Sequence, residues 1–179
     1  FLRAPAEQTG VRRGVATHKA LSLLHYPPLR EAGDEGALLA EVRRQLAAMA
    51  AKRQLTAEEA PLVDASALVR FLTSPCGREA LAAQTVQREW SFNLRLPEQG
   101  GLIVQGVIDL CYVRDGAWSL VDYKTDRVTG AAELWTLYGG QMALYRRALA
   151  EATGLPVGGV TLFSLSLGAG DTRLQGTGA

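Results

Sequence analysis

Two apolar runs, residues 102–113 and 118–124, flank the dipeptide Asp115-Gly116, and this arrangement constrains the chain more than any other feature. Asp-Gly between β-prone runs is the signature of a two-residue hairpin turn, because both turn positions need positive φ. The first run is nearly continuous in apolar residues, as expected for a strand covered on both faces. The turn also fixes the register. Arg114 falls opposite Ala117, and counting back along both strands sets Asp109 opposite Asp122 on one face of the sheet.

The flanking sequence supplies the rest of a layered fold. Residues 86–96 alternate, with Val86, Trp90, Phe92, Leu94 and Leu96 predicted on one face and Gln87, Glu89, Ser91, Asn93 and Arg95 on the other. Gln99-Gly100-Gly101 turns this strand into the hairpin. Residues 134–153 read as a long helix stopped by Gly154 and Pro156, and residues 160–167 as a fourth strand. The N-terminal half reads as helices. Residues 11–25 carry Val15, His18, Leu21 and Leu24 at helical spacing, and Tyr26-Pro27-Pro28 ends them. A second helix spans residues 37–54. Thr56 and Glu59 form a capping box for a third, reaching toward Leu72, and Ser74-Pro75 opens a fourth. The expectation is a single α/β domain over 1–179. Its helical part covers about 11–84, a mixed sheet with helices packed on it about 85–168, and a frayed glycine-rich tail 169–179.

Length and composition bound this reading. The 179 residues suit one domain. A hydrophobic fraction of 47% and a charged fraction of 21% are those of an ordinary globular protein. The net charge of +1 argues against a strongly basic nucleic-acid coat. No apolar run has the length of a membrane span, and no signal peptide is visible. The two cysteines, Cys76 and Cys111, form no Cys-x-x-Cys pair, which argues against zinc and iron–sulfur sites and suits a reducing cytoplasm. No G-x-x-x-x-G-K-S/T loop is present, so no ATP site of that type is expected here. The chain begins at Phe1 and reads as a piece of something longer.

Two carboxylates directly opposed across a hairpin have Cβ atoms about 4.5–5.5 Å apart and destabilise the sheet unless something compensates. A divalent cation between them is one solution; a raised pKa with a shared proton is the other. Magnesium suits the first, as it prefers hard oxygen ligands. Strand alternation puts Lys124 on the same face as Asp122. An ammonium there can assist a metal-bound water or stabilise charge on a phosphate. Asp109, Asp122 and Lys124 therefore have the parts of a phosphodiester-hydrolysing centre.

The runs Gly106-Val107-Ile108-Asp109-Leu110 and Leu120-Val121-Asp122-Tyr123-Lys124-Thr125-Asp126 resemble the core of RecB/AddA-type nucleases of the PD-(D/E)XK, or restriction-endonuclease-like, superfamily. Gly14-Val15-Ala16-Thr17-His18 is similar to the G-x-x-x-H motif that opens these domains. Arg88-Glu89-Trp90-Ser91-Phe92 resembles the strand before the G-x-x-D motif, and Gln141-Met142-Ala143-Leu144-Tyr145 the Q-x-x-x-Y motif. The elements occur in family order.

The resemblance implies a restriction-endonuclease-like core and metal ligands in His18, Asp109, Asp122 and the backbone carbonyl of Tyr123. It implies Lys124 as the catalytic lysine. Gln141 and Tyr145 would line the site or touch DNA, and Glu89 would play a supporting role. Asp126 falls outside the ligand set, and His25 carries no role. The resemblance further implies a Mg²⁺-dependent exonuclease, with Mn²⁺ as substitute, acting on single-stranded DNA, with the 3′-ended strand as its target. It would work in break repair in the bacterial cytoplasm, joined to upstream helicase domains and to a second helicase/nuclease protein. The absence of the four cluster-binding cysteines of some relatives points to the branch without an iron–sulfur cluster. The rival readings are a catalytically silent DNA-binding or subunit-docking module and a hydrolase of small phosphoesters.

Overall fold

The computed structural model describes residues 5–174. Helices α1 (Pro5–Leu23), α2 (Tyr26–Arg30), α3 (Glu35–Ala51), α4 (Ala65–Thr73) and α5 (Pro75–Ala82) come first. Then follow strands β1 (Val86–Leu96), β2 (Leu102–Arg114) and β3 (Ala117–Lys124), helix α6 (Leu134–Thr153), and strands β4 (Val157–Ser164) and β5 (Ala169–Leu174). The five strands form one sheet in chain order. All neighbours are antiparallel except β3 and β4, which run parallel and are joined through α6. A parallel pair needs such a crossover, and the helix lies on the sheet it bridges.

Two apolar cores flank the sheet. Helices α1–α5 bury Leu24, Leu68, Phe71 and Leu72 against Leu110, Tyr112, Val121, Tyr123 and Phe163. Helix α6 buries Leu134, Met142 and Leu149 against Ile108, Cys111, Leu120 and Leu162. Cys111 is a buried free thiol whose pKa burial pushes up to about 12. No helix among the described residues is long and apolar enough to cross a membrane.

The hairpin turn forms as the dipeptide dictates, with φ of 52° at Asp115 and 77° at Gly116, and β2 pairs with β3 in the expected register from Arg114↔Ala117 back to Leu110↔Val121. Elsewhere the structure departs from the sequence reading. The Thr56–Glu59 capping box is made, with Glu59 N–H donating to Thr56 Oγ1 at 3.1 Å and Thr56 N–H to Glu59 Oε2 at 2.9 Å. It opens only a 3₁₀ turn, because Asp64 caps a separate helix, α4, by accepting from Ser66 N–H at 2.9 Å. The Pro27-Pro28 pair ends α1 but itself forms the short helix α2, since proline is tolerated at first helical positions where the N–H has no partner. Val15, placed by spacing on the apolar face of α1, is 60% exposed.

The tail is also corrected. Residues 169–174 are not frayed but form the edge strand β5, held to β4 by its ladder and by a Thr161–Thr172 hydroxyl contact of 2.8 Å; residues 175–179 lie outside the described residues. A last departure concerns β1. Val86 packs toward the α1–α5 layer, and Arg88 sits over the Tyr26 ring and donates to the Leu24 carbonyl, whereas Trp90, Phe92, Leu94 and Leu96 pack toward α6. Glu89, with φ of 50°, is where the strand changes face. Strand β2 does the same across from it, with Leu110 and Tyr112 in one core and Ile108 in the other.

Candidate metal and catalytic centre

The centre lies at this change of face. Glu89 on β1 and Asp109 on β2 occupy matching positions between the pairs Arg88↔Leu110 and Trp90↔Ile108, and neither belongs to the ladder itself. Asp109 and Asp122 stand one step beyond Leu110↔Val121, the last bridged pair of β2 and β3. Three carboxylates thus fall in one row across three adjacent strands. Backbone pairing lapses at the row, and Asp109 Oδ2 accepts the Tyr123 N–H at 2.8 Å.

His18 reaches the row from α1, its Nδ1 3.2 Å from Asp109 Oδ1 and its ring edge-on to Tyr123 at 5.6 Å. Gly14, one helical turn earlier, makes this approach possible: a Cβ there would lie 3.0 Å from Thr125 Oγ1 in the loop after β3. The potential ligand atoms of His18, Glu89 and Asp109 lie within 4.8 Å of one another. A cavity of about 500 Å³, lined by Gly14, Val15, His18, Lys19, Ser22 and Glu89, opens from this group to solvent. The charges respond to the crowding. Burial disfavours the His18 cation, but Asp109, then Asp122 and Glu89, outweigh it and raise its pKa. Burial and the charge of Asp109 raise that of Glu89.

Asp122 sits deeper. Its side chain is 5% exposed, and its Oδ2 lies 2.6 Å from Lys124 Nζ while accepting no well-directed hydrogen bond, so the contact is ionic. Burial, then the charge of Asp109, pushes its pKa up to about 6 against the downward pull of Lys124 and His18. Lys124 Nζ donates to Gln141 Oε1 at 3.2 Å, and Gln141 Nε2 donates to the Tyr145 hydroxyl at 2.9 Å. Tyr145 packs edge-on against Phe92, and Gly106 on β2 leaves room for both rings, since a Cβ there would lie 2.6 Å from Phe92 and 3.0 Å from Tyr145.

The residues singled out by sequence therefore converge from α1, β1, β2, β3 and α6. Tyr123 is fixed by its N–H to Asp109 and by its ring, buried against Phe71. The closest group of ligand atoms contains Glu89, assigned above to a supporting role, while Asp122 is engaged by Lys124. His25 lies apart, its backbone held by the Gln45 amide. Asp126 is outside the carboxylate row and binds the Tyr138 hydroxyl through both oxygens, at 3.0 Å each. Tyr138 itself was missed. Its position, one helical turn before Gln141, was the readable signal.

The layered fold and this centre correspond to a known class, and the chain belongs to the PD-(D/E)XK nuclease superfamily, whose pattern matches residues 2–175. Its mixed five-stranded sheet with flanking helices is consistent with the restriction-endonuclease-like fold of that superfamily. Among curated proteins it is similar to the A-type subunit of the ATP-dependent helicase/nuclease of Geobacillus thermodenitrificans, at 35% identity over 87% of the chain, and to that of Heliobacterium modesticaldum, at 34% identity over 94%. The matched regions cover 14% and 13% of those relatives, so the chain spans about one seventh of their length. The Clostridium novyi protein of the same name is 27% identical over 86% of the chain.

Proposed function

We propose that this chain is a divalent-metal-dependent deoxyribonuclease module that hydrolyses phosphodiester bonds of single-stranded DNA, acting as an exonuclease. The observation that carries the reading is the row formed by Glu89, Asp109 and Asp122, with His18 at one end and Lys124 at the other. Carboxylates set side by side repel. Asp122 Oδ2 is buried with only an ionic contact. The donor set is hard, with one imidazole and the rest oxygen, which suits Mg²⁺ or Mn²⁺ and not a thiophilic ion. His18, Asp109 and Asp122, with Glu89 and the carbonyl of Tyr123, would hold the ion. When bound, such a cation supplies a nucleophilic water near neutral pH and neutralises the scissile phosphate.

The chain's own residues do the remainder. Lys124 presents its ammonium at the edge of the row, where it stabilises charge developing on phosphate oxygens. Gln141 fixes that ammonium, and Tyr145 fixes Gln141. The wall of α1, with Val15 and Lys19, and the open side of β1 shape the cavity that admits a strand. The names of the relatives support a setting in a larger ATP-dependent helicase/nuclease that processes DNA breaks, where helicase domains deliver the strand and a second protein completes the enzyme.

End-labelled single-stranded and duplex oligonucleotides, incubated with Mg²⁺, Mn²⁺ or chelator, test the reading. Chelator-sensitive shortening of the single strand, abolished in Asp122→Asn and Lys124→Ala, is expected. Undiminished cutting by Asp122→Asn would remove the assignment. Binding of the strand without cutting in any metal would favour a silent docking module.

A further inference from the structure

Lys124 has a third neighbour that its motif does not predict. Its Nζ lies 3.9 Å from the centre of the Tyr138 ring, in addition to Asp122 Oδ2 at 2.6 Å and Gln141 Oε1 at 3.2 Å. Tyr138, Gln141 and Tyr145 fall on one stripe of α6, three and four residues apart. The Tyr138 ring is in turn held from outside, because its hydroxyl donates to both oxygens of Asp126. Asp126 stands two residues past Lys124, where β3 has ended, and its carbonyl accepts from Ser166 Oγ at 3.0 Å in the turn after β4. The sequence places a second carboxylate within easy reach of a flexible lysine, and the tyrosine hydroxyl occupies it.

We infer that Tyr138 is a positioning residue for Lys124: its ring seats the ammonium beside Asp122, and its hydroxyl withholds Asp126 as a competing partner. This rests on the nuclease reading above for its kinetic consequence but not for its geometry. An ammonium over an aromatic face is attracted by the ring quadrupole, most strongly where water is excluded, and the Lys124 side chain is 13% exposed. A lysine has a long stem with many rotamers. Confining it on three sides directs the charge to one place, the edge of the carboxylate row. Removing the ring frees the stem, and removing the hydroxyl alone leaves the ring but releases Asp126.

The two parts are separable in the intact protein. With a single-stranded oligonucleotide and Mg²⁺, Tyr138→Leu should lower kcat about tenfold while KM stays within about twofold, the pattern of a lost transition-state contact. Direct Mn²⁺ binding should be unaltered. Tyr138→Phe should lose less, and Tyr138→Phe combined with Asp126→Asn should return to near the wild-type rate, whereas Asp126→Asn should not rescue Tyr138→Leu. The seat itself is read without catalysis, from the ring-current shift of the Lys124 Cε protons, present in wild type and Tyr138→Phe and absent in Tyr138→Leu. The inference is overturned if kcat is indifferent to Tyr138→Leu, if KM or Mn²⁺ affinity falls by the same factor, if the double variant is not restored, or if the ring-current shift is missing in wild type. A wild-type protein that shows the shift and binds Mn²⁺ yet cuts no DNA overturns the nuclease reading and supports the seat.

Discussion

Asp109 Oδ2 accepts the backbone N–H of Tyr123 at 2.8 Å, so a side chain supplies the acceptor where the β2–β3 ladder stops. The other oxygen of the same carboxylate faces His18. One group therefore closes the sheet on one side and presents charge to the candidate metal site on the other.

These two roles come apart by substitution. Asp109→Asn keeps an acceptor for Tyr123 and loses the charge, so it should abolish Mn²⁺ binding with little change in melting temperature. Asp109→Ala leaves the Tyr123 N–H unpaired and should cost a further 1–2 kcal/mol or so, the penalty for a donor without a partner. Calorimetric titration and thermal unfolding of both variants check this. Equal melting temperatures would show that the bond contributes nothing.

Asp122 gives the metal-free protein a pH dependence. Its folded-state pKa is about 6, above the ordinary 3.8, chiefly through burial and then through Asp109. Folding thus favours the protonated form. The associated stability is complete below about pH 4 and is lost as pH rises through about 6, amounting to roughly 2–3 kcal/mol by pH 8. Asp122→Asn lacks this loss. In chelator, the stability of wild type relative to Asp122→Asn should fall across that window, and saturating Mg²⁺ should restore it at pH 8. Parallel profiles for the two proteins would contradict the assignment.

Glu89 combines a carboxylate at the site with a backbone in the left-handed region, φ 50°. A non-glycine residue pays about 1 kcal/mol or more there. Glu89→Gly should therefore keep or raise the unfolding free energy while weakening Mn²⁺ binding, and Glu89→Gln should weaken binding at unchanged stability. If Glu89→Gly destabilises the fold, the carboxylate is holding the strand and not an ion.

Gly106 is required by space alone. A methyl group there meets the Phe92 ring at 2.6 Å and Tyr145 at 3.0 Å. Gly106→Ala should cost about 1–3 kcal/mol through overpacking. By moving Tyr145 it should also disturb Gln141 and slow cleavage, although residue 106 carries no functional group. Wild-type cleavage by a folded Gly106→Ala protein would show that Tyr145 does not support Lys124.

How far all this was readable depends on what each feature needs. The β2–β3 register followed from a turn whose two residues carry their own φ preference, and the helix starts at Ser74 and Thr56 from local hydrogen bonding. The change of face at Glu89 was not readable, because glutamate has no intrinsic preference for positive φ; only the packing of Val86 and Trp90 against different layers demands it. Strand β5 was missed for a similar reason. Its residues, Ala169 to Leu174, show no apolar alternation, and it is held by partners distant in sequence, including Arg173 over the Trp135 ring at 4.3 Å. At the site, the Asp109–Asp122 row followed from counting, whereas His18 was singled out by family likeness. Tyr138 belongs to no motif and is evident only when the lysine is seen resting on it.

His18 meets Asp109 across 91 positions of chain, and it arrives on the first helix of a layer that must dock before the two can touch. Contacts of such long separation form late, after the intervening loop has been closed at an entropic cost. The imidazole is thus the last component to arrive. A half-made copy of this molecule has its acidic strands but not the nitrogen that completes their grip. Assembly of the centre therefore acts as a safety catch, released only by completion of the fold.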